Sequence, residues 1–258
     1  MTQTERRLFL IEYLLSERGE QADLPTDAYS QKRLLRSLLN IRMPRTADKQ
    51  FLNEQDAYLQ EEIRAKGITK TADLEPLQQD LYLWQGDITT LACDAIVNAA
   101  NSQMLGCFSP CHGCIDNAIH TFSGVQLRAA CYAVMRRQGH EEPTGQAKIT
   151  PGYNLPSKNV IHTVGPIVSG KLTEEHCELL KSCYHSCLKL ADENDCESIA
   201  FCCISTGVFG FPQREAAQIA VSTVKEYKKA TGSGIKVIFN VFKDDDLRIY
   251  RDLLNGCV

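Results

Sequence analysis

The segment 105–120, "LGCFSPCHGCIDNAIH", places three cysteines and a histidine within eight residues, Cys107, Cys111, His112 and Cys114. Thiolate and imidazole are the ligand types zinc prefers, and crowding them into one loop admits three chemistries. Three donors with an open fourth position make a catalytic metal site. All four make a closed structural site, which so short a segment would have to wrap as a very tight knuckle. Thiols without metal make a redox pair, for which the sequence shows no resolving partner. The loop runs at once into a helix start containing Asp116, so a carboxylate stands beside whatever the loop holds.

Three further stretches carry polar or flexible residues at the ends of apolar runs. "STGVFGFP" (Ser205, Thr206, Gly207, Val208, Phe209, Gly210, Phe211, Pro212) combines small hydroxyl residues, two glycines and a proline ahead of a helix. Glycines let the backbone approach a ligand, and unpaired N–H groups at a helix start face an anion. The stretch lacks the lysine of a P-loop and the spacing of a dinucleotide fingerprint, so an ordinary turn is the competing reading. "GDIT" sets Asp87 after a strand, where its carboxylate accepts from an exocyclic amine or caps a turn. In "NAAN", Asn98 and Asn101 bracket a strand end, and their amides suit ribose hydroxyls or a turn equally.

These loops need a scaffold. Short β-rich runs at 81–84, 95–99, 160–164, 199–203 and 236–241 alternate with helical runs at 116–137, 173–194, 213–230 and 244–254. That alternation predicts a mostly parallel central sheet with helices on both faces, which binds ligands where the strands' carboxyl ends meet their loops. The first 75 residues read as helical instead. Thr2 and Glu5 have capping-box spacing, Leu34, Leu35, Leu38, Leu39 and Ile41 mark a second helix, and Phe51, Leu52, Tyr58, Leu59 and Ile63 a third. Such helices are marginal alone and must pack on a surface, either the main body or a partner.

Composition sets the outer bounds. Of 258 residues, 43% are hydrophobic and 23% charged, which fits a globular chain rather than a disordered or membrane one. A net charge of −4 argues against nucleic-acid binding, so a bound phosphate would be held mostly by backbone N–H groups. Glu12 interrupts the apolar run after Arg6 and Arg7, and no small-residue cleavage site follows, which predicts a cytoplasmic protein. The twelve cysteines are then reduced thiols, most of them small hydrophobes, as at Cys177, Cys183, Cys187, Cys202 and Cys203.

In this order, "GDIT", "AIVNAAN", "IDNAIH", "YNLPSKNVIHTVGP" and "CISTGVFGFP" resemble a macrodomain, the ADP-ribose-binding fold, and most of all its MacroD-type hydrolase branch. The resemblance runs from about Leu81 to the C-terminus. It implies an α/β fold, a three-layer α/β/α macrodomain with a mixed, mostly parallel central sheet, over 76–258, preceded by a helical N-terminal extension over 1–75. The departure lies in the opening loop, where a MacroD-type run of glycines is replaced by Cys107, Cys111, His112 and Cys114. Together with the helical extension, that substitution resembles the zinc-dependent macrodomains of some bacteria and fungi.

By that resemblance one Zn2+ per chain is held by Cys107, His112 and Cys114 beside the distal ribose. The spacing agrees, since His112 and Cys114 can project to one side of an extended segment while Cys111 diverges. Asp87 and Ile88 would bind adenine, the backbone of 205–211 the diphosphate, and Cys114 and Ile115 the sugar end. Phe242 would stack on adenine, although an interior aromatic is the bland alternative. Asn101 would hold a distal-ribose hydroxyl, and Asp116 would orient water or that hydroxyl unless it merely caps the helix. His120 and His162 read as packed, hydrogen-bonded side chains.

The implied activity is removal of mono-ADP-ribose from modified proteins, with a lipoyl-carrier protein modified by a sirtuin-type transferase as the partner the zinc-dependent group suggests. Two alternatives keep the same pocket, a non-catalytic ADP-ribose-binding module and an O-acetyl-ADP-ribose deacetylase.

Overall fold

The computed structural model describes residues 1–256, so the last two residues of the predicted second unit lie outside the described residues. Three helices come first, α1 (Gln3–Ser16), α2 (Ala28–Ile41) and α3 (Lys49–Lys66). Each begins on a side-chain oxygen that takes an early helical N–H: Thr2 in a reciprocal capping box with Glu5, then Asp27 and Asp48. Their apolar faces meet in a core of their own built on Leu10, Ile11, Leu35, Phe51 and Leu59. Ile63, near the end of α3, belongs instead to the larger core.

The rest of the chain alternates strands and helices. In order they are β1 (Thr69–Lys70), β2 (Pro76–Gln78), β3 (Leu81–Gln85), β4 (Leu91–Ala92), β5 (Ala95–Ala100), α4 (Ile115–Ser123), α5 (Val125–Gln138), β6 (Ala147–Pro151), β7 (Asn159–Val164), α6 (Glu174–Asp192), β8 (Ser198–Phe201), α7 (Gln213–Thr231), β9 (Lys236–Val241) and α8 (Asp244–Asn255). Seven strands form one sheet in the order β2-β3-β9-β8-β5-β7-β6. The five inner strands run parallel, and β2 and β6 close the two edges antiparallel. A mixed, mostly parallel sheet with helices on both faces is thus the architecture. The inner strand β5 lies between β8 and β7, and the side chains of Ile96, Val97 and Asn98 are wholly buried, as a strand covered on both faces requires.

The structure departs from the periodicity in a few places. The predicted helix 116–137 is two helices, broken at Gly124, whose φ of +94° a side chain rarely adopts. A Cβ there would also meet Gln126 Oε1 at 2.6 Å and Gln55 Nε2 at 2.7 Å. Gln55, from α3, accepts the Val125 N–H and so caps the second of the two helices. The predicted strand 199–203 ends at Phe201, which frees Cys202 and Cys203 for the following loop. The edge strands β2 and β6 were not predicted, because each takes its hydrogen bonds from one neighbour and shows no sustained apolar run. No helix among the described residues is long and apolar enough to cross a membrane.

Arg128 of α5 locks the helical N-terminal region to the sheet region. Its buried guanidinium donates to the carbonyls of Leu39 and Arg42 on one side and Leu105 on the other, and lies over the Phe108 ring. Burial lowers its pKa to about 10, still a cation at neutral pH. Arg128→Met would strand several buried carbonyls, each costing about 1–3 kcal/mol. A loss of roughly 3 kcal/mol is therefore expected in urea unfolding.

Candidate functional site

The parallel strands deliver their loops to one edge of the molecule. β5 ends at Ala100 and leads into the cysteine-rich segment, and β8 ends at Phe201 and leads into the glycine-containing one. Gly165, following β7, lies against the second loop so closely that a Cβ would sit 2.1 Å from Ser205 Oγ. Any side chain at 165 would push the loop out of place.

Within 205–211, hydrogen bonding sorts the backbone donors. Thr206 N–H is directed to Cys203 O, Gly210 N–H to Gly207 O and Phe211 N–H to Ser205 O. Among the described residues, no protein acceptor takes the N–H groups of Gly207, Val208 and Phe209, and Gly207 and Val208 are exposed. Ser205 has a φ of +64° and a buried, unpartnered hydroxyl, whereas the Phe211 ring is core at 2% exposure. The free donors are therefore consecutive at the loop's tip, the arrangement that cups an anion.

The opposite end of the site lies where β3 and β9 stop. The two pair in parallel with Gln85 opposite Val241, so Asp87 and Phe242 leave the sheet side by side. Phe242 is 77% exposed and thus a free ring rather than an interior one. Asp87 Oδ1 accepts from Thr89 N–H and Oγ1 and caps a 3-10 turn that begins at buried Ile88. Its Oδ2 accepts at 2.8 Å from Nζ of Lys66, a residue of α3 that no local pattern ties to this position. Partial burial alone would raise the Asp87 carboxyl. The Lys66 ammonium and the Thr89 donors outweigh it and hold the carboxyl below its usual range.

The cysteine-rich loop gathers Cys107, His112 and Cys114, whose donor atoms lie within 4.8 Å of one another. Cys107 Sγ and His112 Nδ1 stand 3.6 Å apart. Two ligands of a tetrahedral zinc are separated by about 3.6 Å when the metal–ligand bonds are ~2.0–2.3 Å, so this pair already has nearly the separation such an ion needs. Cys111 is turned away: its φ is +53°, its N–H donates to Asn40 Oδ1, and its thiol donates to Arg33 O on α2. Burial and the neighbouring Cys107 and Asp116 raise the Cys114 thiol to about 11.

Cys114 is also the residue that caps α4, its Sγ accepting from Asn117 N–H. Capping, the alternative role for Asp116, is thus taken by Cys114, and Asp116 sits in the first turn, buried, with Oδ1 accepting from Asn98 Nδ2 at 2.8 Å. Burial raises its carboxyl to about 6 against the opposing pull of Asn98 and Arg128. Ile115 packs partly buried against the main core. Asn101 is turned onto its own loop, donating to Gly106 O and accepting from Gln103 N–H.

Behind Asp116 lies a second group of donors, His120, Cys131 and His162, all fully buried. His162 is committed on both nitrogens, to Asn98 Nδ2 and to Thr150 Oγ1. Since Asn98 donates, His162 Nδ1 accepts and Nε2 carries the proton, a tautomer assigned from the network. His120 packs its ring against Gly106, whose added Cβ would lie 2.7 Å away. Burial holds both imidazoles neutral, so the 3.5 Å approach of His120 Nε2 to Asp116 is not an ion pair.

The family model described as "Macro domain" matches residues 97–220. A protein-ADP-ribose hydrolase of Treponema medium is 59% identical over 261 residues, covering 99% of this chain and 100% of its own length. This chain belongs to the macrodomain family. A protein-ADP-ribose hydrolase of Staphylococcus aureus (strain MRSA252) is 49% identical over 253 residues, with 95% of each chain covered. A Trypanosoma brucei macrodomain solved in complex with ADP-ribose superimposes with a TM-score of 0.66 at 28% identity, over 85% of this chain and 94% of that one.

Removing Lys66 leaves Asp87 partly buried with one partner fewer. Lys66→Met is expected to raise the Asp87 pKa, read by NMR titration of its carboxyl carbon. A carboxylate depressed on folding adds stability above its unfolded pKa of about 4 and loses it as the pH falls through the folded value. The stability gap between wild type and Lys66→Met should therefore close on acidification below about pH 4.

Proposed function

We propose that this macrodomain is a zinc-dependent hydrolase that removes mono-ADP-ribose from modified proteins. The observation that carries the zinc reading is the convergence of Cys107, His112 and Cys114 beside buried Asp116. Two thiols and an imidazole gathered within 4.8 Å of one another are a donor set that fits zinc, and three protein ligands leave the open position of a catalytic ion. When bound there, zinc would supply Lewis acidity at the sugar end of the pocket. The activity itself is supported by the two full-length relatives named protein-ADP-ribose hydrolase.

The chain's own residues account for the rest of the ligand. Asp87 has an oxygen placed to accept from the adenine amine, and Phe242 offers a face for its ring. The N–H groups of Gly207, Val208 and Phe209 receive the diphosphate without lysine or arginine, in keeping with the net charge of −4. Asn101 holds the turn that opens the metal loop, and the second hydrogen of its amide would meet a distal-ribose hydroxyl. The scissile bond joins C1 of the distal ribose to the acceptor side chain. Water adds at C1, and the acceptor leaves with a proton. Asp116 is fixed through Oδ1 by Asn98, and among the described residues no donor takes Oδ2, so Oδ2 is the atom that orients the water and receives its proton. Cys114 and Ile115, at the start of α4, bring the ion and that carboxylate to the same end of the ligand.

The first substrate to assay is a mono-ADP-ribosylated lipoyl-carrier protein of the kind a sirtuin-type transferase modifies. Release of free ADP-ribose should vanish when zinc is stripped by a chelator from protein that stays folded, and return when zinc is restored. Binding of ADP-ribose without release in the zinc-loaded protein would overturn the hydrolase in favour of a recognition module. Cys107→Ser is expected to lose zinc and Cys111→Ser to keep it, by metal analysis of purified protein. Asp116→Asn is expected to keep zinc while turnover falls about 100-fold or more.

A further inference from the structure

We infer that α2 of the N-terminal region is the support on which the metal loop is built, and that Arg36 is its positioning residue. The inference rests on the zinc reading above. Arg36 and Asn40 are spaced i, i+4 on one face of α2, and their side chains meet the cysteine-rich segment and the first turns of α4, while the Arg33 carbonyl on the same side accepts the Cys111 thiol. Leu35, Leu38 and Leu39 are buried in the helical core, so the helix is anchored while it presents this polar edge.

Arg36 reaches all three donor residues through at most one intermediary. Its Nη2 donates to His112 O at 3.1 Å. Its Nε and Nη2 both donate to Asn117 Oδ1, at 3.2 and 2.7 Å. Two guanidinium donors can face only the oxygen of that amide, so the orientation of the Asn117 side chain is fixed. Its Nδ2 then points the other way, to Cys107 O at 3.4 Å and Ser109 O at 3.0 Å, while its backbone N–H donates to Cys114 Sγ at 3.4 Å. Asn117 is wholly buried, so no water can take over these bonds.

Asn40 completes the arrangement. Its Oδ1 accepts Cys111 N–H and its Nδ2 donates to Thr121 Oγ1, which in turn donates to Asn117 O. One side chain thereby ties the diverted Cys111 to the helix that carries Asp116. Partners of this kind orient metal ligands without touching the ion, and losing one typically costs about 10–100-fold in metal affinity. The role differs from plain packing, because it predicts looser zinc without an equally weakened fold.

The test is zinc affinity of the full chain, measured by competition with a chromophoric chelator, beside the melting temperature of the metal-free protein. Lys32 sits on the same helix and pairs with Glu62 at the surface, so Lys32→Ala serves as the control. Arg36→Met is expected to bind zinc at least 10-fold more weakly than wild type. Its metal-free form should stay folded at the assay temperature while melting several degrees below the control, because Asn117 Oδ1 and His112 O lose their donor. Should Arg36→Met fail to fold, Arg36→Lys keeps the stem and charge but loses the fork, and a several-fold weakening is expected. A folded Arg36 variant with wild-type zinc affinity would overturn the inference, as would equal weakening in Lys32→Ala. Wild-type protein that binds no zinc, or Cys107→Ser that keeps it, would overturn the metal reading itself and this inference with it.

Discussion

Cys107, His112 and Cys114 hold their donor atoms within 4.8 Å of one another on a segment that has no hydrogen-bond ladder of its own. Between Ala100 and Ile115 the chain forms neither helix nor strand, and a flexible segment pays conformational entropy to keep any single geometry. The structure meets that constraint from outside the segment. Asn101 closes its first turn, α2 grips its middle, and Cys114 ends it by capping α4. Much of the surrounding architecture follows from the need to bring those three anchors together.

The N-terminal helices thereby acquire a role that a macrodomain sheet alone does not require. They touch both ends of the site, at the loop through Arg36 and Asn40 and at Asp87 through Lys66. Arg128 makes the joint rigid, since its buried fork takes carbonyls from both sides at once. Buried charge is costly to desolvate, and it is tolerated here because Nε and Nη1 together meet three backbone carbonyls and the guanidinium lies over the Phe108 ring.

Electrostatics within the site are divided by environment rather than by residue type. Asp87 and Asp116 are both aspartates, yet one is held low by an ammonium and the other is pushed up by burial. The buried histidines behind Asp116 stay neutral and add shape rather than charge. The free donors at the tip of the loop after β8 are likewise backbone N–H groups rather than cationic side chains, in a chain with an excess of acidic residues.

Alternation of strands and helices was legible in the sequence because apolar periodicity is local, and so were the loops that follow β5 and β8. The separate periodicities of α1, α2 and α3, and the capping box of α1, were equally plain. Periodicity could not see Gly124 dividing one helical run in two, because the break depends on Gln55 arriving from α3. It could not see β2 and β6, whose hydrogen bonds belong to their neighbours. The cysteine and histidine spacing marked the loop, and the turn at Cys111 shows why one thiol leaves the group. What tertiary structure alone decided are the contacts between residues far apart in the chain: Lys66 with Asp87, Arg36 with Asn117, and Asn98 with Asp116. A sequence states which groups are available, but long-range polar pairs form only when packing has fixed both ends, and no local pattern records their partners.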